Sequence, residues 1–299
     1  MTYKAGFVGL VGLPNAGKSS LGNMVVGSKF SIVCSKAQTT RRRVKGIYSE
    51  DDMQFVITDS PGVVETTTGL NTFLQSEYRD VMDKSDVLLA CMNLDAKDPE
   101  QLIAICEAVK AQKKPWAIVI TKVDLPKVHR ISILRELFSP YGVPVVGVSV
   151  ETEVNSHREV LIDLIKKLLP EAPAPMYPTD SYTTESVRDL CAELVREKCF
   201  KLLHDELPYT LATQVRRFEE GPALQKIFVD IIVERDAHKA MVIGKGGEHL
   251  KRIGSEARAD IEKITGTKVY LEIHVAVKDK WTRSPAHLKE LGYVVRKQD

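Results

Sequence analysis

The residues best able to do chemistry stand together near the start of the chain. Gly12-Leu13-Pro14-Asn15-Ala16-Gly17-Lys18-Ser19 has the spacing G-x-x-x-x-G-K-[ST] of a phosphate-binding loop. Gly12 and Gly17 let the backbone curl until its N–H groups point at the α- and β-phosphates of a nucleotide. Lys18 reaches the β- and γ-phosphates, and the Ser19 hydroxyl is placed for a Mg²⁺ ion bridging them. Ser20 follows in the opening turn of a helix whose positive end favours the same charge. A glycine-rich turn with a chance lysine is the plain alternative, and the setting opposes it. The apolar run Gly6-Phe7-Val8-Gly9-Leu10-Val11 before the loop reads as a buried strand, and a helical pattern follows.

ATPases, kinases and GTPases all use such a loop, and three later stretches separate them. Asp59-Ser60-Pro61-Gly62 has the form D-x-x-G at the end of a strand. There the aspartate can hold Mg²⁺ through water, and the glycine N–H can sense the γ-phosphate. Thr121-Lys122-Val123-Asp124 ends another apolar run and resembles the guanine-reading N-K-x-D. Asp124 can accept hydrogen bonds from the guanine N1–H and 2-amino group, a donor pair adenine lacks, which opposes an ATPase or kinase. The stem of Lys122 can lie flat over the base. Ser149-Val150-Glu151 stands where such proteins use S-A-x to give a backbone N–H to guanine O6. Asp59 or Asp124 alone would mean little, because aspartate commonly ends strands. Four elements in this order, each at a strand's C-terminal end, point to a guanine-nucleotide site.

Two departures carry expectations. Thr121 in place of Asn loses an amide that braces base and loop, so binding should weaken while specificity is kept. Val150 in place of Ala is tolerable because the backbone makes that contact. Between the loop and D-x-x-G lies Lys36-Ala37-Gln38-Thr39-Thr40-Arg41-Arg42-Arg43. Thr40 is the candidate to complete the Mg²⁺ shell with Ser19 and Asp59, and Thr39 is its alternate. The arginine triplet reads equally as a solvated turn or as a contact for a partner or RNA. Many small GTPases place a glutamine directly after D-x-x-G to orient the attacking water. Here Val63 and then Val64 follow, and an aliphatic side chain cannot hydrogen-bond water. Slow intrinsic hydrolysis is expected, with Lys18, Thr40, Gly62 and Asn15 as the residues acting on the reacting phosphate.

A second constellation lies near the other end. Val242-Ile243-Gly244-Lys245-Gly246-Gly247 opens a helix, and Gly244-x-x-Gly247 has the G-x-x-G form of a KH domain. Glycines let backbone press against a nucleotide backbone, while the helix N-terminus favours phosphate. Lys245 lies inside the loop, and Lys239, Lys251 and Arg252 flank it. A plain helix–turn–helix corner fits these four residues as well, and the surrounding element order favours KH. Residues 180–299 hold 21 Lys and Arg against 20 Asp and Glu, so RNA affinity must come from a local groove.

The elements that must position these residues follow from periodicity. In residues 1–169, strand patterns at 5–12, 44–49, 53–59, 86–92, 116–121 and 144–149 alternate with amphipathic stretches near 19–27, 72–83, 99–113, 130–139 and 156–169. This is the α/β pattern of a mostly parallel, doubly wound sheet. The short polar connection after residue 49 demands one antiparallel pair. Residues 170–180 hold four prolines and read as a semi-rigid extended linker. Residues 181–299 follow as a smaller α+β unit. It has a helix at 182–204, with Val187, Leu190, Cys191, Leu194 and Leu202 on one side, then strands at 208–218 and 226–235. A helix near 237–242, another at 247–264, a strand at 268–277 and a helix near 284–291 complete it.

The whole chain has 299 residues, 43% of them hydrophobic and 27% charged, with a net charge of +2. That is room for two cored domains and no histone-like polycation. Cys34, Cys91, Cys106, Cys191 and Cys199 are odd in number and scattered, which fits reduced thiols rather than a disulfide framework or zinc site. Met1-Thr2-Tyr3-Lys4-Ala5 runs straight into the first strand, leaving no room for a signal peptide, and no apolar run approaches the ~18–20 residues of a spanning helix. A cytoplasmic location is expected.

The forms G-x-P-N-x-G-K-S, K-A-Q-T-T-R and D-[ST]-P-G together resemble the Era family of bacterial GTPases, within the wider TrmE–Era class. The likeness spans nearly all of the chain and both domains in order. It implies a monomeric switch that binds GTP and GDP and hydrolyses GTP with Mg²⁺. It further implies a C-terminal type II KH domain that binds 16S ribosomal RNA and assists assembly of the 30S subunit. A peripheral contact with the inner face of the cell membrane is an open expectation. Relatives with the P-N-x-G-K form imply K⁺ as a second cation, bound with the help of Asn15; the alternative is that Asn15 only braces the loop. A rival reading is a GTPase that regulates a protein or membrane partner, with the C-terminal domain as a docking module.

Overall fold

The structure, a computed structural model, describes residues 2–63 and 69–295. Val64 and residues 296–299 lie outside the described residues. The chain divides into two compact units. The first holds Met1–Ser31, Thr40–Val64 and Leu74–Thr184, the second Ile32–Thr39, Glu65–Phe73 and Glu185–Asp299.

The first unit is built on β1 (Lys4–Gly12), α1 (Lys18–Val26), β2 (Val44–Glu50), β3 (Met53–Asp59), α2 (Leu70–Lys84, from Leu74 on), β4 (Val87–Asn93), α3 (Pro99–Lys110), β5 (Trp116–Thr121), α4 (Val128–Phe138), β6 (Val145–Val148) and α5 (Val154–Leu168). The strands form one sheet in the order β2-β3-β1-β4-β5-β6. Among the described strands of this sheet only β2 pairs antiparallel, with Glu50 opposite Met53 across a two-residue turn. Side chains alternate between the sheet's faces, and each face has its own core. Leu10, Ile57, Leu89 and Val119 pack with Leu21 and Val25 of α1 and Leu161 and Ile165 of α5. Val11, Leu88, Ala90 and Ile120 pack with Ile105 and Val109 of α3 and Phe138 of α4. With both faces covered, the loops at the strands' C-terminal ends are left to carry the chemistry.

The proline-rich stretch expected to be a connector is tied to this unit. Ala5 N–H donates to the Pro170 carbonyl at 3.2 Å, and Ala172 N–H to that of Tyr3 at 2.8 Å. The buried Gln54 accepts from the N–H groups of Met176 and Tyr177 at 2.7 and 2.8 Å and donates to the Tyr177 carbonyl at 2.8 Å. Extended chain lacking some N–H groups can still accept at its carbonyls, and these edges offer donors. The break between units therefore falls after Thr184, not within the prolines.

The second unit holds α6 (Val187–Leu202), β7 (Ala212–Glu219), β8 (Leu224–Val233), α7 (Asp236–Ile243), α8 (Glu248–Thr265), β9 (Lys268–Val277) and α9 (Pro285–Glu290). Its sheet runs β7-β8-β9, with β7 antiparallel and β9 parallel to β8. Leu194 and Cys199 of α6 meet Ile227 and Ile231 of β8 and Ile253 and Ile261 of α8 in its core. The helix expected from 182 begins only at Val187, because Ser186 caps it by accepting from the Asp189 N–H at 3.1 Å. Val187, expected on the buried side, is exposed in that first turn.

Candidate functional site

The phosphate loop leaves β1 and delivers Lys18 and Ser19 as the first residues of α1, whose N-terminus no side chain caps. Its N–H groups therefore remain donors for an anion. Lys18 is buried at 6% exposure, and its Nζ donates to the carbonyls of Gly12 and Leu13 at 3.2 and 2.9 Å. Burial pulls this ammonium below its ordinary range, opposed by the Asp59 carboxylate. At Gly62 the D-x-x-G chain passes against the loop so closely that an added Cβ would stand 2.6 Å from the Pro14 nitrogen. Ser60 fixes the same turn by donating to the Leu10 carbonyl at 2.6 Å.

Three oxygens meet at one carboxylate. Asp59, fully buried at the end of β3, accepts at Oδ2 from Ser19 Oγ at 2.6 Å and Thr40 Oγ1 at 3.2 Å, and those hydroxyls lie 3.0 Å apart. The sequence-based set Ser19, Thr40 and Asp59 is thus brought together. The Thr39 hydroxyl donates to the Lys36 carbonyl at 2.8 Å. A third donor, not foreseen, is Ser31, whose Oγ lies 2.7 Å from the same Oδ2. Burial pushes the Asp59 carboxyl up, opposed by Lys18 and by the three hydroxyls. Its Oδ1 is buried without a hydrogen-bond partner. A buried, unpartnered carboxylate oxygen beside two hydroxyls is an oxygen-only donor set of the kind Mg²⁺ takes, with phosphate and water filling the rest of its shell. Ser19, Thr40 and Asp59 therefore fit the ion.

The residues expected to read the base lie at the ends of β5 and β6. Asp124 is exposed, and Ser149 Oγ donates to its Oδ1 at 2.6 Å, fixing the carboxylate's plane. The N–H groups of Glu151 and Thr152 donate to the same Ser149 Oγ at 3.0 and 3.1 Å, which holds the turn after β6. Lys122 takes a left-handed backbone conformation (φ 61°) between Thr121 and Val123. Val63 is exposed, and Asn15, exposed at the crest of the loop, has φ 61°, a region asparagine tolerates. The solvated-turn alternative for the arginine triplet does not hold for Arg41 and Arg43. Arg41 is buried, and the Arg43 N–H and guanidinium bind Glu77 and Asp80 of α2.

In the second unit the G-x-x-G turn joins α7 to α8. Gly244 and Gly247 have φ of 75° and 80°, and a Cβ on Gly244 would come 2.8 Å from the His249 ring. The next helix, α8, has no side-chain cap. Lys245, Gly246, Lys251 and Arg252 are exposed and Lys239 is half-buried, with Arg252 paired to Glu256 at 2.9 Å. The expected RNA residues therefore share one end of this unit.

Residues 7–122 match the family model described as 50S ribosome-binding GTPase, and residues 206–282 match that of the KH domain. GTPase Era of Trichlorobacter lovleyi is 39% identical over 98% of this chain and 98% of its own length. The chain belongs to the Era family of GTPases. GTPase Era of Neisseria meningitidis serogroup A is 38% identical, covering 97% of this chain and 95% of its own. Two Era structures superpose with TM-scores of 0.90 at 33% identity, each covering 97% of this chain and 99% of the other. One is a point variant of Aquifex aeolicus Era bound to GDP.AlF4-; the other is Era with MgGDPNP and nucleotides 1506-1542 of 16S ribosomal RNA.

The Thr121 hydroxyl donates to the Ala16 carbonyl at 2.9 Å, so the brace between base turn and phosphate loop, expected to be lost with the amide, is kept by a shorter side chain. Val150 packs its side chain on the first unit's core.

Proposed function

We propose that this chain is a guanine-nucleotide switch that hydrolyses GTP to GDP and phosphate and binds 16S ribosomal RNA through its KH unit in assembly of the 30S subunit. The observation that carries the nucleotide half is the convergence of Ser19, Thr40 and Asp59 beside the buried Lys18. The RNA half is supported by the exposed G-x-x-G turn and by the relative solved with 16S ribosomal RNA. We take it to act as a monomer in the cytoplasm, with the inner face of the membrane as a peripheral station. No helix among the described residues is long and apolar enough to cross a membrane.

In this reading the backbone from Gly12 to Ser20 cradles the phosphates, and Lys18 exchanges two neutral carbonyls for phosphate oxygens. Gly62, pressed on Pro14, offers its N–H to the γ-phosphate. Ser60 and Pro61 set that turn, while Thr121, Lys122, Val123, Asp124 and Ser149 to Glu151 frame the guanine. Mg²⁺ held by Ser19, Thr40 and Asp59 would supply positive charge against the phosphate oxygens. Water attacks the γ-phosphorus in line, and positioning with electrostatics carries the rate.

Val63 cannot orient that water, so intrinsic turnover should lie well below the ~5–20 s⁻¹ of an assisted GTPase. K⁺ near Asn15 is the proposed remedy. The exposed amide oxygen there is a donor such a cation accepts, and the ion would place charge where an arginine finger acts. One assay tests the guanine reading and the potassium proposal together: hydrolysis of GTP and ATP in K⁺ and in Na⁺. GTP should be hydrolysed in preference to ATP, faster in K⁺, and Asn15→Ala should erase the K⁺ advantage. Equal rates in the two salts remove potassium, and equal use of ATP removes the guanine reading.

A further inference from the structure

The metal-site hydroxyls do not account for Ser31. It lies between α1 and β2 at 3% exposure, and its Oγ donates to Asp59 Oδ2 at 2.7 Å. The backbone that carries it is clamped by one side chain of α1. Asn23 Oδ1 accepts from the N–H groups of Phe30 and Ser31, both at 3.0 Å, and its Nδ2 donates to the Ser31 carbonyl at 2.7 Å. All the hydrogen-bonding capacity of that amide but one N–H is spent on two adjacent residues. Phe30, at 2% exposure, anchors the same stretch in the core below.

The spacing explains the arrangement. Ser19 and Asn23 stand four residues apart, so they occupy one face of α1 a turn apart. That face thus carries both a metal-site hydroxyl and the clamp that sets Ser31. Of the three donors on Oδ2, Ser19 and Thr40 belong to the proposed ion shell and Ser31 does not. Its hydroxyl is free to stay on the carboxylate while the other two turn toward an ion, leaving Oδ1 open.

We infer that Ser31, clamped by Asn23, is a positioning residue for the Mg²⁺ site, holding Asp59 through Oδ2 so that Oδ1 is presented in one orientation. This rests on the guanine-nucleotide reading above. Outer-sphere partners of metal ligands act by fixing orientation, and their loss typically weakens metal affinity about 10–100-fold.

The test is binding of N-methylanthraniloyl-GDP to the full chain, titrated with Mg²⁺ and repeated in EDTA. Ser31→Ala should raise the Mg²⁺ concentration for half-maximal stabilisation by about tenfold. Its affinity for the nucleotide in EDTA should match that of the wild type. Ser31→Thr, which keeps the hydroxyl, should stay near the wild-type Mg²⁺ midpoint. An unchanged midpoint in Ser31→Ala overturns the inference. So does an equal loss with and without Mg²⁺, which would mark Ser31 as a packing residue only. A wild-type chain that binds no guanine nucleotide overturns the underlying reading and this inference with it.

Discussion

At the scale of single residues, the proposed specificity turns on Asp124 and the proposed brace of the loop on Thr121. The Asp124 carboxylate, oriented by Ser149, is the group that can accept two hydrogen bonds from guanine. Asp124→Asn should therefore lose GTP affinity by about 3 kcal/mol, roughly a hundredfold, at ~1.5–3 kcal/mol per charged bond less competition from water. It should gain xanthosine triphosphate, whose 2-oxo group suits an amide donor; competition binding with the two triphosphates reads both changes. Thr121→Val keeps the shape and removes the hydroxyl on the Ala16 carbonyl, leaving a buried acceptor bare. GDP should bind about tenfold more weakly, from a loss of ~1–2 kcal/mol, while Thr121→Asn should bind at least as well as wild type. Unchanged affinity in Thr121→Val would mean that the brace is idle. Lys18, Ser19 and Asp59 were legible in the sequence because their patterns are local in the chain. Ser31 was not, because only the fold brings it across from α1 to the end of β3. The brace by Thr121 was misjudged for a related reason: a residue type reveals which groups it has lost, not which atom its shorter side chain will reach.

At the scale of elements, Arg43 shows how a charge run can tie secondary structure together. It enters β2 with its guanidinium on Asp80 of α2 and its N–H on Glu77 at 2.8 Å. Burial alone would raise the Asp80 carboxyl above its ordinary value of 3.8, but hydrogen bonds and charge from Arg43 and Lys84 outweigh it and hold the carboxyl lower. A carboxyl depressed in the folded state contributes stability that is fully present above its unfolded value and is lost as pH falls through the folded one. Asp80→Asn should therefore destabilise the chain by about 1 kcal/mol at neutral pH. The gap to wild type should narrow as the pH is lowered past 3.8. Thermal melts of both proteins at neutral and acid pH check this, and a gap independent of pH would contradict it. Strands and helices were legible where apolar spacing was regular, as in β3 and β5, because burial on both faces leaves a continuous apolar run. The proline stretch was legible as extended chain but not as bound chain. What binds it is Gln54, a buried polar residue in β3 whose amide had no partner in sight from the sequence.

At the scale of the whole molecule, two units with separate cores divide two chemistries, a nucleotide site on strand ends and a glycine turn between helices. The charges of residues 180–299 nearly cancel, so the RNA affinity proposed for this unit would be concentrated at the turn, where Lys245, Lys251 and Arg252 are exposed. The turn can be altered without touching either core. No atom lies within 4 Å of a Cβ built at Gly246, and its φ of 63° is one that aspartate tolerates. Replacing Lys245 and Gly246 together by aspartate adds two negative charges and removes one positive charge where a phosphate backbone must approach. The most direct measurement is the affinity of the full chain and of this double variant for nucleotides 1506-1542 of 16S ribosomal RNA, with GTP binding followed in parallel. Wild type should bind the fragment, the variant should lose at least about tenfold in affinity, and both should bind GTP equally. A variant that holds the RNA as tightly as wild type would contradict the proposed RNA binding at the turn.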